Sequence, residues 1–174
     1  MPGSRIVRLD GTVEDDLANS VVAQLLVLSD ISPSADILLL VESAGGSVAA
    51  GMAIYDTMQY VPCDVATCAV GLTAGMGQFL VSAGAPGKRF AERDARLVMV
   101  EIRAGDRDPA DAAMDAATDR TRREVADVAA LHMGRDPAFV HAAWKAHPQR
   151  EFGAEEARVY GLVDHVVERA PGGR

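Results

Sequence analysis

Apolar positions along the chain switch repeatedly between a spacing of two and a spacing of three to four. Arg5 to Leu9 reads as a first strand, with Asp10-Gly11 as its turn. The period then changes. Leu17, Val21, Gln24, Leu25 and Leu28 fall near helical spacing, with Glu14, Asp15 and Asp16 in the first turn, where negative charge suits the helix dipole. Thr12 is the predicted cap of this helix. Ser32-Pro33-Ser34 breaks it, and Ile37 to Val41 is a short continuous apolar run, as expected of a parallel strand covered on both faces. A helix over Val48 to Tyr60, a strand over Val65 to Val70 and a helix-like run over Met76 to Ala83 follow. After the turn Ala85-Pro86-Gly87-Lys88, strands are predicted over Lys88 to Ala91 and over Arg96 to Ile102. A polar stretch leads to Asp108 as a cap and Pro109 at the first position of a helix running to His132. Met114, Thr121, Val125, Val128 and Leu131 would form its buried face, and Met133-Gly134 its end. Helices over Pro137 to Lys145 and Ala154 to Tyr160 and a strand over Leu162 to Val167 complete the pattern. Strands alternating with helices predict one α/β domain over 1–174, with its core in 5–168 and a frayed tail over 169–174.

Composition narrows the class of partner. A length of 174 residues leaves no room for a second core, and 49% apolar with 24% charged residues is an ordinary soluble composition. The formal net charge of -8, with no basic cluster against it, argues against nucleic acid or an anionic membrane as partner. No apolar run reaches the roughly 20 residues a bilayer requires, and the N-terminus enters a strand-like run without a signal peptide. Cys63 and Cys68 lack C-x-x-C spacing and a nearby His cluster. They read as buried reduced thiols of a cytoplasmic protein, with neither metal nor cofactor implied.

The candidate chemistry lies in two glycine-rich loops, Gly45-Gly46 and Gly75-Met76-Gly77, each following a predicted strand. Ligand sites in α/β sheets gather at the carboxyl ends of strands. The second loop is a strand-to-helix elbow, the geometry that carries a nucleophile in many acyl-transfer enzymes. Its tip here is Gly75, which has no side chain. Two such loops can present backbone N–H groups to a developing oxyanion. Two tight turns needed only for packing would look the same in the sequence. Neither nucleotide motif is met: Ser43 to Gly51 does not spell G-x-G-x-x-G, and Gly87-Lys88-Arg89 lacks the P-loop hydroxyl.

The run Ser43-Ala44-Gly45-Gly46-Ser47-Val48-Ala49-Ala50-Gly51-Met52-Ala53-Ile54-Tyr55-Asp56-Thr57-Met58-Gln59 resembles the signature of the Clp protease proteolytic subunit family, ClpP. The resemblance continues through Gly75 to Phe79, Ala83-Gly84-Ala85, Gly87-Lys88-Arg89-Phe90, Ala130-Leu131-His132 and Ala154-Glu155-Glu156-Ala157 to Tyr160-Gly161-Leu162-Val163-Asp164. It implies a ββα spiral of the ClpP/crotonase type, seven-membered rings and a Ser-His-Asp triad. Gly75 stands where the nucleophilic Ser is implied. Val100, or Glu101 after a one-residue insertion, stands in place of the His, and Arg150 in place of the Asp. The resemblance assigns the oxyanion hole to the N–H groups of Gly46 and Met76. It also implies that the chain begins after the family's N-terminal axial loop and helix, and Arg103 to Asp108 replaces the glycine-rich strand that joins two rings. The resemblance therefore leaves docking of an AAA+ unfoldase doubtful and single or double rings open. Glu42 and Ala44 stand where the family has Asn and Pro.

Two functions fit these residues. One is a peptidase-inactive subunit of a homo-oligomeric ring, or of a mixed ring with an active ClpP-type subunit. The other is a crotonase-like enzyme using the Gly46/Met76 hole on a thioester or other acyl substrate, with Glu101 as general base. The other reading of Glu101 is a solvated or ion-paired strand residue, with Arg103 or Arg150 as its partner. Ser43, Ser47, Thr73 and Ser82 are weaker substitutes for the nucleophile, since no motif places a His beside them. His132 and His165 read as structural, His141 and His147 as outside candidates near the implied Asp segment. Trp144 reads as a packing anchor, and Tyr55 and Met58 as core or inter-subunit contacts.

Overall fold

The computed structural model describes residues 4–101 and 112–168. The first strand, β1 (Ile6–Asp10), is followed by α1 (Asp15–Ile31), β2 (Ile37–Ser43), α2 (Val48–Tyr60), β3 (Val65–Ala74) and the short α3 (Met76–Ser82). Then come β4 (Arg89–Glu92), β5 (Arg96–Val100), α4 (Ala112–Met133), α5 (Pro137–Ala146), β6 (Gln149–Gly153), α6 (Ala154–Tyr160) and β7 (His165–Val167). The parallel ladder β1-β2-β3-β4-β7 forms the main sheet. Such a sheet is covered on both faces only if its strands are apolar throughout, and Ile37, Leu39, Val41 and Val65 are buried accordingly.

β3 serves two neighbours in succession. Thr67 to Ala69 pair with β4, and Leu72 to Ala74 pair with β5. Between these halves the register against β2 jumps, from Val41 opposite Ala69 to Ser43 opposite Thr73. The extra residues bulge out, and Thr73 Oγ1 donates to Val41 O at 3.0 Å to close the bulge. β5 then carries β6 antiparallel to it, with Leu97 opposite Phe152, Met99 opposite Arg150 and Val100 opposite Gln149.

α1 and α2 pack together over one face of the sheet, and α3 is buried along its whole length. One continuous core joins Leu9, Leu25, Leu39, Ile54, Leu80, Leu97, Phe152 and Leu162. A smaller cluster of Leu40 and Cys68 with Ile6, Leu38, Val70 and Phe90 forms separately from it. Among the described residues no helix is long and apolar enough to cross a membrane. Cys63 and Cys68 are both free and buried.

Several expected elements change. α1 starts at Asp15 with Glu14 at its N-cap position, so Thr12 does not cap it. The reason is tertiary: Val13 is taken into a parallel bridge with Gly46. Gln24 is exposed, and Ser29 rather than Leu28 is fully covered on the inner face. Leu131 is 73% exposed and leaves the buried face of α4, which runs through Val125, Ala126, Ala129, Ala130 and Met133. β4 and β7 are displaced from the predicted limits, β7 beginning only at His165 although Leu162 and Val163 are buried. β6 was not expected at all. The predicted cap Asp108 with Pro109, the stretch 103–107, Ile102, the Met114 side chain and the tail over 169–174 lie outside the described residues.

One arginine fastens the far end of the fold. Arg89, 8% exposed, pairs with Asp164 through Nε at 2.9 Å and through Nη2. Its Nη1 donates to Ser82 O at 3.2 Å, His132 O at 2.8 Å and Gly161 O at 3.0 Å. Those carbonyls belong to the C-terminal ends of α3, α4 and α6, where helix carbonyls have no intrahelical partner and negative partial charge collects. A single planar guanidinium satisfies all three ends.

Candidate functional site

The site begins with two backbone constraints. Gly46 lies at φ +147, and a Cβ built there would meet Val13 O at 2.3 Å and Val13 N at 2.8 Å. Only glycine fits so close a backbone approach. The bridge itself uses Val13 N donating to Gly45 O at 2.8 Å and Ser47 N donating to Val13 O at 2.7 Å. In a parallel bridge of this kind the middle residue, Gly46, turns its own N–H and C=O away from its partner. Ser43 Oγ holds the loop from the inside by accepting from Gly45 N at 3.1 Å, and Ser47 caps α2 by accepting from Ala50 N at 3.2 Å.

The second loop is the strand-to-helix elbow. Gly75 has φ 52 and ψ -122, a conformation that strains any L residue and that glycine takes freely. Its N–H donates to Val98 O at 3.0 Å, so β5 fixes the approach to the elbow. The two loops touch: a Cβ on Gly45 would sit 3.2 Å from Ala74 O and 3.5 Å from Met76 N.

Above these loops lies a cavity of about 220 Å³, lined by the backbone of Gly46 and Gly75 and by Met76, Phe79, Met99 and Trp144 among others. α4 supplies Val125, Ala129 and Met133 to its far wall, and α5 supplies Trp144. Among the described residues the lining contains no hydroxyl, thiol, imidazole or amine side chain. Its polar side-chain groups among those residues are Gln78, Glu101 and the indole N–H of Trp144. Gln78 Nε2 donates to Ser82 Oγ at 2.8 Å. Glu101 pairs with Arg122 of α4 at 3.6 Å, with 19% of the glutamate side chain and 30% of the arginine side chain exposed. No cluster of His, Cys, Asp and Glu that could hold a metal is found among the described residues.

The expected site residues therefore divide. Gly46, Gly75, Met76, Val100 and Glu101 all line the one cavity. Both Val100 and Glu101 reach it because β5 ends at Val100 and strict pleat alternation ends with it. Among the described residues Glu101 pairs with Arg122, whereas Arg150 pairs with Glu156; Arg103 lies outside the described residues. Arg150 does not line the cavity: it pairs with Glu156 at 3.0 Å and lies over the rings of Phe152 and Tyr160 at 4.6 and 4.9 Å. It stands opposite Met99, whereas Gln149 stands opposite Val100. Directly opposed residues share a sheet face, so Gln149 is the cross-strand neighbour of the Val100 side chain.

The outlying candidates are occupied elsewhere. Ser43, Ser47, Thr73 and Ser82 are absent from the cavity lining, and Ser82 Oγ donates to Leu162 O at 3.0 Å. His132 meets Tyr55 Oη at 3.2 Å, and burial, then the nearby Arg89 charge, pushes its imidazole pKa down. Tyr55 also stacks at a tilt on Phe79, and its phenol is pushed up by burial. His141 pairs with Asp127 at 3.3 Å across α5 and α4. His165 Nε2 meets Gly87 O at 3.0 Å, and His147 ends α5. Sequence reasoning passed over Arg122, because nothing local relates it to Glu101, and passed over the polar end of Trp144.

Among known proteins, the Clp protease family profile matches residues 1–170. The chain is 48% identical over 170 residues to ATP-dependent Clp protease proteolytic subunit 2 of Corynebacterium efficiens, covering 97% of this chain and 84% of the relative. It is 49% identical over 168 residues to the subunit 2 of Rhodococcus jostii, covering 95% and 85%. It is 44% identical over 175 residues to ATP-dependent Clp protease proteolytic subunit 1 of Streptomyces coelicolor, covering 98% and 77%. With its parallel sheet, its elbow and its paired glycine loops, this chain belongs to the Clp protease proteolytic subunit family.

Proposed function

We propose that this protein is a peptidase-inactive subunit of a ring-shaped Clp proteolytic assembly in the cytoplasm, with a structural or regulatory role beside active subunits. The observation that carries the proposal is the cavity lining, in which no side chain among the described residues can serve as nucleophile or as imidazole base. Gly75 takes the nucleophile's place at the elbow tip and Val100 the place of the imidazole. For the third position, the resemblance offered Arg150; the β5–β6 register favours Gln149, which shares a face with Val100. What persists is the acyl-binding half of the site, the N–H groups of Gly46 and Met76 facing an apolar cavity. The relatives are named as proteolytic subunits 1 and 2, which supports a mixed assembly of related chains. The crotonase-like alternative loses ground because Glu101 is engaged by Arg122.

The test is a fluorogenic peptidase assay of the pure protein, together with light scattering of the protein alone and mixed with an active Clp subunit from the same cell. No turnover and a mixed complex are the expected results. Peptide hydrolysis that disappears when Gly75 is replaced by a bulkier residue would overturn the proposal.

A further inference from the structure

Away from the cavity, the C-terminal end of α6 meets the turn between α4 and α5 in a cluster of arginine and aromatic side chains. Arg135, in that turn, lays its guanidinium over the rings of Phe139 and Tyr160, 5.4 and 5.8 Å from their centroids. The two rings lie 5.8 Å apart. Arg135 Nε and Nη2 donate to Tyr160 O at 3.4 and 3.3 Å, and Nη2 also donates to Val159 O at 3.5 Å. Arg135, Phe139, Val159 and Tyr160 are all absent from the cavity lining.

Capping explains one edge of this guanidinium, because cations suit the carbonyl end of a helix. It leaves the other edge idle: Nη1 has no acceptor among the described residues. The charge is also unanswered. Arg93, Arg96 and Arg150 each meet a carboxylate, whereas none among the described residues lies within ion-pair distance of Arg135. Beside it, Phe139 is 43% and Val159 72% exposed, so apolar surface stays in water next to an unpaired cation. A guanidinium already held flat against two rings loses little freedom on binding. Arginine with aromatic side chains is the combination enriched where proteins recognise one another.

Charge complementarity selects the occupant. The open edge of a guanidinium matches the two oxygens of a carboxylate. The formal net charge of -8 opposes a polyanion such as nucleic acid or an acidic membrane, and Asp136 beside Arg135 adds charge against a doubly ionised phosphate. We propose that Arg135, Phe139, Val159 and Tyr160 form a docking surface for a peptide segment of a partner protein in which an Asp or Glu stands next to large apolar residues. The carboxylate pairs with Arg135, and the apolar side chains cover Phe139 and Val159.

The full-length protein is titrated with a rhodamine-labelled, amidated peptide of sequence Gly-Ser-Leu-Asp-Phe-Ser-Gly, followed by anisotropy, and with the same peptide carrying Asn for Asp. The expected result is saturable binding that weakens with salt and is about fivefold weaker for the Asn peptide, the upper range for a partly exposed ion pair. Arg135→Gln, shown by circular dichroism to be folded, should no longer distinguish the two peptides. Phe139→Ala should weaken both and keep the distinction. Should Arg135→Gln not fold, the Asp–Asn comparison on the unaltered protein and the Phe139→Ala titration still decide. No saturable binding up to the solubility limit overturns the proposal, as does equal affinity for the two peptides. Unaltered discrimination in Arg135→Gln or unaltered affinity in Phe139→Ala does the same. A changed assembly mass in Arg135→Gln without any peptide binding also overturns it, and makes this face a contact between copies. The surface lies apart from the cavity, so the peptidase assay fails or succeeds independently of these titrations.

Discussion

Placing a serine at the elbow separates what the backbone has kept from what the side chains have lost. A Cβ built on Gly75 would find Gly45 Cα at 3.6 Å and Ala44 O at 3.9 Å, both ordinary van der Waals contacts. Space is therefore no obstacle to Gly75→Ser. The cost is conformational: φ 52 with ψ -122 is a region L residues avoid, and holding one there costs about 1–3 kcal/mol. With a slope of about 2 kcal/mol per molar urea, the unfolding midpoint should fall by roughly 0.5–1.5 M. Gly75→Ala should fall by the same amount, since the strain belongs to the Cβ and not to the hydroxyl. All three proteins need the same concentration, because assembly adds to apparent stability. The new hydroxyl gains no imidazole base from the described lining, and the Glu101 carboxylate there is paired with Arg122, so Gly75→Ser should neither hydrolyse a fluorogenic peptide nor react with a fluorophosphonate probe. An unchanged midpoint would refute the strain argument. Peptide turnover by Gly75→Ser alone would refute the account of the cavity, by showing that some group, Glu101 included, activates the hydroxyl without an imidazole.

Two further substitutions probe the fold around the site. Gly46→Ala pushes a Cβ to 2.3 Å from Val13 O, so urea unfolding should show a loss of about 3 kcal/mol or more, larger than for Gly75→Ala. Arg89→Met strands the Asp164 carboxylate and three helix-end carbonyls. Breaking a buried pair costs about 3–5 kcal/mol, and the lower end applies because the Asp164 side chain keeps 20% exposure. The same pair sets an acid limb. Burial pushes the Asp164 carboxyl up from its ordinary 3.8, but the Arg89 hydrogen bonds and charge outweigh this and hold it lower. Its contribution is complete above the unfolded-state value and fades as pH falls through the depressed folded-state value. A stability–pH profile should therefore drop below about pH 4 in the wild type and drop less steeply in Arg89→Met.

Much of the fold was legible because its signals are local. α2 and α6 have the predicted limits, each bounded by a break in period, and the elbow at Gly75 follows from an apolar run ending in small residues. Thr12 misled because a cap preference of about 1 kcal/mol yields to the Val13–Gly46 bridge, a tertiary contact between residues far apart in sequence. β6 was hidden because Gln149-Arg150-Glu151-Phe152-Gly153 has one buried side chain, Phe152, and hence no alternation to see. Leu131 seemed buried because the packing surface of α4 is built largely of alanines, which carry little hydrophobic signal beside a leucine. At the site, the glycines announced the loops, whereas the Glu101–Arg122 pair joins residues twenty-one positions apart across a stretch with no periodic link. The resemblance set Arg150 in the third position, and only the strand register shows which residue shares a face with Val100.

α4 is held by two arginines with different partners. At its C-terminal end the guanidinium of Arg89 is buried and grips a neutral group, His132 O. Midway along, Arg122 reaches a carboxylate, Glu101, at 3.6 Å, with 30% and 19% of the two side chains exposed. Dissolved ions screen a partly exposed pair of charges more than a buried hydrogen bond to a carbonyl. Rising ionic strength therefore bears on the middle of this helix and spares its end.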